Sequence, residues 1–234
     1  MPFPTGTTII EQNEHLSCDS VLRSRVAARL KDFSRQTAEE ADLRAAAVAL
    51  VITAEGDGAN LSGIETPRDY SEQAALLLTR RSSKLRNHPG QWAFPGGRLE
   101  SGESHVQAAM RETSEEIGLD LNEDQLLGFL DDFVTRSGFI MTPVVFWAGS
   151  QITLTPDPSE VASIHRIPLV EFLRADAPQL SLAEPGSNPI LRMPVGDDHI
   201  AAPTAAIIYQ FREVCLLGHD TRVAHFEQPE FAWR

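Results

Sequence analysis

Residues 95–119 read PGGRLESGESHVQAAMRETSEEIGL, and the spacing inside this stretch governs how the rest of the chain is read. Ser104 followed three residues later by Gln107 is a capping-box pattern, and Gly118 supplies a stop, so a helix is predicted from about His105 to Ile117. At about 100° per residue, Val106, Ala109, Met110, Thr113 and Ile117 fall on one side and Glu112, Glu115 and Glu116 on another. Core face and acid face are thus expected to be separate. Such acids ordinarily form a solvated face. Here they repel one another and stand toward the C-terminal end, where the helix dipole disfavours them. With Arg111 expected to pair with Glu103, no basic side chain is left to relieve Glu115 or Glu116. A hard divalent cation held by carboxylate oxygens removes the repulsion, and the i, i+3, i+4 spacing lets three acids converge on it.

The charge around this helix is polarised. Residues 73–99 hold Arg80, Arg81, Lys84, Arg86 and Arg98 and neither Asp nor Glu, whereas residues 100–124 hold eight acids against the single base Arg111. Arginines that receive phosphate oxygens beside carboxylates that hold cations make chemical sense of that contrast. The chain as a whole carries a net charge of −13, which argues against a nucleic-acid partner. The apolar run AAAVALVI at 45–52 is too short to cross a bilayer, so no membrane association is expected. The N-terminal MPFPTGTTIIEQNEH shows neither a basic nor an apolar leader region, and Cys18 and Cys215 are too few for a disulfide framework or a zinc site. A cytoplasmic setting is the expectation, with a homodimer left open.

With 234 residues, 42% of them hydrophobic, the chain is expected to form one elaborated domain over 1–234. An N-terminal helix is expected at about 19–34, with Asp19 as cap and Val21, Leu22, Val26, Leu30 and Phe33 at helical spacing. LRAAAVALVIT (43–53) and AALLLTRR (74–81) read as buried strands, separated by a loop insertion at about 55–73 that either rides exposed or approaches the substrate. LLGFLDDFVT and FIMTPVVFWAG, joined by RSG, read as a hairpin of long strands. ASIHRIPL and PILRMPV read as further strands, with a short helix through VEFLRAD and a C-terminal helix and tail over about 203–234. Strands and helices without regular alternation indicate an α/β class with a mixed β-sheet.

The stretch GRLESGESHVQAAMRETSEEIGL resembles the Nudix box: Gly97, five residues to Glu103, seven more to Arg111-Glu112, then Glu115-Glu116, Gly118 and Leu119. Thr113 departs from it, standing where the family usually has an aliphatic residue. The resemblance implies a Nudix-type α/β/α sandwich and a hydrolase. It also implies Mg2+ or Mn2+ held by Glu112, Glu115 and Glu116, with the backbone carbonyl near Gly96 contributing. Glu103 would pair with Arg111 to orient the cluster. The general base varies within the family, and the candidates here are Glu112, Glu115 and, from a later loop, Glu160 in PDPSEVASI.

LLTRRSSKLRNHPGQWAFPGG, residues 77–97, is similar to the signature of the coenzyme A diphosphatase branch of that family. Leu77, Leu78, Thr79, Arg80, Ser82, Arg86, Gly90, Phe94, Pro95, Gly96 and Gly97 carry the likeness. The substrate implied is a small molecule, coenzyme A or its thioesters, cleaved to 3′,5′-ADP and 4′-phosphopantetheine or its acyl form. The alternatives are a hydrolase of another nucleoside diphosphate derivative, such as ADP-ribose or NADH, and a non-catalytic ligand sensor on the same fold. Several phosphates call for several cations, for which Arg80, Arg86 and Arg98 are the candidates, with help from Lys84 and His88 and less from Arg81. Phe94 and Trp92 offer faces for adenine stacking, in competition with a plain core role.

Overall fold

The computed structural model describes residues 16–40, 42–182 and 187–229. Its organising strand is β1 (Arg44–Gly56), buried from Ala46 onward. Val48, Leu50 and Ile52 face a core shared with the N-terminal and C-terminal helices, whereas Ala47, Ala49 and Val51 face the central helix. A strand covered on both faces cannot alternate apolar with polar residues, which explains the unbroken AAAVALVI run.

Around β1 an eight-stranded mixed sheet assembles. It comprises β2 (Ser71–Arg81), β3 (Trp92–Ala93), β4 (Gly96–Arg98), β5 (Leu126–Phe129), β6 (Phe133–Thr135), β7 (Phe139–Gly149) and β8 (Val161–Pro168). β1 lies antiparallel to β2 and β4 and parallel to β7, and the main path runs β3-β2-β1-β7-β5. The helix α1 (Ser20–Asp32) starts where Asp19 Oδ1 accepts from the Val21 and Leu22 N–H groups, both at 2.9 Å. It buries Leu22, Val26 and Leu30. Val21, expected in the same apolar stripe, is 69% exposed; one residue before Leu22, it points about 100° away from the buried row.

The segment 126–135 is two strands rather than one. Asp131 and Asp132 turn inward and interrupt it: Asp131 accepts from Arg222, Gln210 and the Gln36 N–H, and Asp132 from Arg35, Thr142 and the Ala38 N–H. The buried carboxylates are satisfied by donors distant in sequence. The short helix expected through VEFLRAD is a 3-10 helix, Leu169–Leu173, that follows β8 directly.

A second sheet, β9 (Gln179–Leu182), β10 (Pro189–Val195) and β11 (Asp198–Ala201), flanks the first. Only β10 was expected; every residue of β9 is exposed, so it lacks the alternation that marks a strand. The chain closes with α3 (Thr204–Phe211), which runs into a π-turn, Arg212–Leu217. The 57–70 loop is tied down rather than loose. The buried His165 bonds the Ala59 carbonyl through Nδ1 at 2.9 Å, and Ser62 donates to Asp197 at 2.6 Å. No residue of this loop lines the acidic cleft described below. No helix among the described residues is long and apolar enough to cross a membrane.

Candidate active site

The central helix α2 spans His105–Ile117 and has both halves of its capping box, Ser104 with Gln107, with Gly118 left-handed at its end. It packs against β1 and β4. Two glycines in β4 set how close it comes. A Cβ on Gly97 would overlap the Glu112 carboxylate, and the Gly96 N–H donates to Glu116 Oε2 at 3.3 Å.

This close approach overturns the expected separation of core and acid faces. Glu116 is only 5% exposed and belongs to the buried side of the helix with Thr113 and Ile117. Burial first, and then the charges of Glu112 and Glu160, push its carboxyl up to about 8, with Arg81 and the Gly96 N–H acting the other way. Glu112 is raised as well, chiefly by burial and against the pull of Arg111. Thr113, the departure from the family pattern, is buried without strain on its hydroxyl, which donates to the Ala109 carbonyl at 2.7 Å.

Arg111 is a hub, not a partner of Glu103 alone. It holds both oxygens of Glu103 at 2.9 and 3.1 Å, Glu112 at 2.9 Å, Glu115 at 3.0 Å and the Arg98 carbonyl at 3.0 Å. The relief expected to be missing for Glu115 is therefore present, one turn away on the same helix. Glu103 is held below its ordinary value mainly by this bond. Because Arg111 draws Glu112 and Glu115 to itself, the three glutamates are not gathered into one ligand set. Among the described residues no group of three acidic, histidine or cysteine side chains is drawn close enough to hold an ion. The chemistry of the donors nonetheless fits a hard cation: Glu116 is a buried acid facing the same cleft as Glu112, Glu115 and Glu160, and its pKa is raised first by burial and then by the charges of Glu112 and Glu160.

The cleft encloses about 650 Å³ and includes Arg81, Phe94, Gly96, Arg98 and Glu160 in its lining. Glu160 reaches it because the Asp157 N–H donates to the Glu116 carbonyl at 2.9 Å and the Ser82 N–H to the Glu160 carbonyl at 2.8 Å. Its loop is thereby fixed to both the acid helix and β2. Phe94 is 4% exposed, so it is both core and cleft wall.

The basic residues sort differently from the sequence expectation. Arg81, given least weight, lines the cleft. Arg80 points away from it and pairs with Asp198 on β11, donates to the Gly90 carbonyl at 3.0 Å and stacks 3.9 Å from the Trp92 ring centroid. Trp92 Nε1 donates to the same Asp198 at 3.1 Å. Successive residues of a strand face opposite ways, so only one of the two arginines can serve the cleft. Lys84 and Arg86 are exposed and lie outside its lining. Arg44, Phe139 and Asp198 were missed; they come from strands far from either motif, Arg44 and Phe139 meeting through the pairing of β1 with β7 and Asp198 meeting Arg80 and Trp92 through its side chain.

The NUDIX domain profile matches residues 67–189, more than half of the chain, which therefore belongs to the Nudix family. The chain is 42% identical over 103 residues to Nudix hydrolase NudL of Yersinia enterocolitica, covering 44% of this chain and 53% of that one. It is also 42% identical over 108 residues to peroxisomal coenzyme A diphosphatase ndx-8 of Caenorhabditis elegans, covering 45% and 46%. The chain spans about half the length of the curated relatives it matches. A MutT/nudix family protein from Enterococcus faecalis superposes with a TM-score of 0.48 at 15% identity, over 90% of this chain and 75% of that one.

Proposed function

We propose that this chain hydrolyses the diphosphate linkage of coenzyme A or its thioesters with the aid of Mg2+ or Mn2+. The observation that carries the hydrolase reading is Glu116, a buried acid held beside Glu112 and Glu160 at the wall of a cleft that also contains Arg81. A retired site has no reason to keep an acid whose ionisation is opposed by its own surroundings, so a ligand sensor is disfavoured. The 77–97 segment and the likeness to a coenzyme A diphosphatase support the choice of substrate.

Glu112, Glu115 and Glu116 would hold the metal. A divalent ion bound there would supply charge neutralisation at the diphosphate oxygens and acidification of a water. The chain's own residues do the rest. Arg81 receives a phosphate oxygen, and Arg111 orients Glu112 and opposes the rise that burial imposes on its pKa. Glu160 is exposed at the rim, and among the described residues its carboxylate has no side-chain partner, unlike Glu112 and Glu115. It takes the proton as the water oxygen bonds to phosphorus and the bridging P–O bond breaks.

The test is a panel of coenzyme A, an acyl-coenzyme A, ADP-ribose, NADH and nucleoside triphosphates, with Mg2+ or Mn2+ and product identification. Formation of 3′,5′-ADP with the highest kcat/KM supports the reading. Preference for ADP-ribose or NADH would discard the substrate and keep the hydrolase; turnover of none would discard both.

A further inference from the structure

We propose that Arg44, Phe139 and Arg98 form a second anion subsite in the same cleft, reading a phosphate monoester that the substrate carries away from its scissile diphosphate. The subsite follows from register. Ala46 of β1 pairs with Arg98 on one side and Met141 on the other, and Arg44 pairs with Phe139. Residues two apart on a strand share a face, so these side chains stand on one surface, with the methyl of Ala46 leaving a depression between longer neighbours. All five line the cleft.

Both guanidinium groups lie against the Phe139 ring, Arg44 at 4.5 Å and Arg98 at 5.0 Å from its centroid. The backbone that carries the ring is anchored, because the Phe139 N–H donates to Thr135 Oγ1 at 3.0 Å. Among the described residues neither guanidinium has an ion pair or a hydrogen bond, whereas Arg111 and Arg80 are fully engaged. Two cations gathered on one ring repel each other unless an anion joins them.

The charge count selects the ligand. A phosphate inside a diphosphate linkage carries one negative charge, whereas a monoester with a second pKa of about 6 carries nearly two at neutral pH. Two guanidinium groups match the latter, with donors that suit its oxygens. Arg98 directly follows Gly97, over which Glu112 sits, so subsite and acid cluster share the three-residue strand β4. One ligand can therefore reach both. The identity of the substrate rests on the reading given above, under which the group read is the 3′-phosphate of the ribose.

The test separates the subsite from that reading. Binding of coenzyme A and of dephospho-coenzyme A, which keeps the diphosphate linkage and has no monoester, to the full chain is measured by calorimetry without metal, for the wild type and for Arg44→Ala, an exposed position. The wild type is expected to bind coenzyme A at least about tenfold more tightly, a gap of about 1.4 kcal/mol. Arg44→Ala is expected to erase the margin and leave dephospho-coenzyme A unchanged. No margin in the wild type, or an equal loss for both ligands in the variant, overturns the proposal. Turnover of coenzyme A and dephospho-coenzyme A is followed separately. If neither is cleaved while ADP-ribose is, the substrate reading fails and the binding result still decides the subsite.

Discussion

Arg111 and Arg81 border the same acid cluster in opposite conditions. Arg111 is saturated, with three carboxylates and a carbonyl around it, and its own pKa is raised by them. Arg81 enters the cleft with its buried Nε unpartnered among the described residues, and it acts on Glu116 only through space. The first is a scaffold for acids, whereas the second keeps a donor uncommitted in the cleft. An arginine's role is thus decided by the acceptors left over around it rather than by its place in a motif. Arg80 makes the same point, since Asp198 occupies it.

The sharpest way to break this division is Glu116→Gln. Loss of a charged ligand at the metal is expected to lower kcat by roughly 10³-fold, equivalent to about 4 kcal/mol. Near-normal turnover at low Mg2+ would remove Glu116 from the ligand set.

The same substitution carries a pH signature in metal-free protein. The folded pKa of Glu116, about 8, lies above its ordinary 4.5, so the folded state binds the extra proton between those values. Its contribution to stability is complete below the lower value and is lost as pH rises through the upper one. Glu116→Gln, which never ionises, is expected to be more stable than the wild type at pH 8.5 by a few kcal/mol, because each pH step between the two values costs the wild type about 1.4 kcal/mol, and to match it near pH 5. Denaturant unfolding at the two pH values checks this. A constant difference would show that burial of the acid carries no such cost.

The receptor side is probed by Arg81→Ala, expected to lower kcat/KM by roughly 30- to 100-fold, or about 2 to 3 kcal/mol, mostly through KM. Arg86→Ala, at an exposed site outside the cleft lining, is expected to stay within about threefold. Reversal of that order would return the phosphate contact to Arg86. The smallest effect belongs to Asp198→Asn. Its pair with Arg80 is partly exposed, so about 0.5 kcal/mol of stability is expected to go, while kcat/KM stays within about twofold. A large loss of activity would mean that Arg80 works in the cleft after all.

Much of α2 was legible because its signals are local. The capping box, the Gly118 stop and the glutamate spacing all lie within one stretch, and the helix bounds agree with them. β1 was legible because a strand buried on both faces is apolar throughout. What escaped reading depends on distant partners. Nothing near Asp131 and Asp132 shows that Arg222, Gln210, Arg35 and Thr142 will enclose them. The choice between Arg80 and Arg81 depends on which face of β2 meets the acids, and a register shift against β8 falls between these two residues. The depth of Glu116 depends on how closely the glycines of β4 admit the helix, a distance that no pattern in the helix itself encodes.

The central place of β1 bears on how this chain can be divided. The family match begins at residue 67, yet the strand that pairs with β2, β4 and β7 ends at Gly56. A fragment trimmed to 67–189 would keep every glutamate of the Nudix box and lose the strand on which β4 and the acid helix rest. It would also lose Asp198 and α3, whose Thr204 hydroxyl donates to the Trp92 carbonyl at 3.1 Å. A fragment that keeps these contacts starts upstream of Arg44 and runs through α3, well beyond the segment by which the family is recognised.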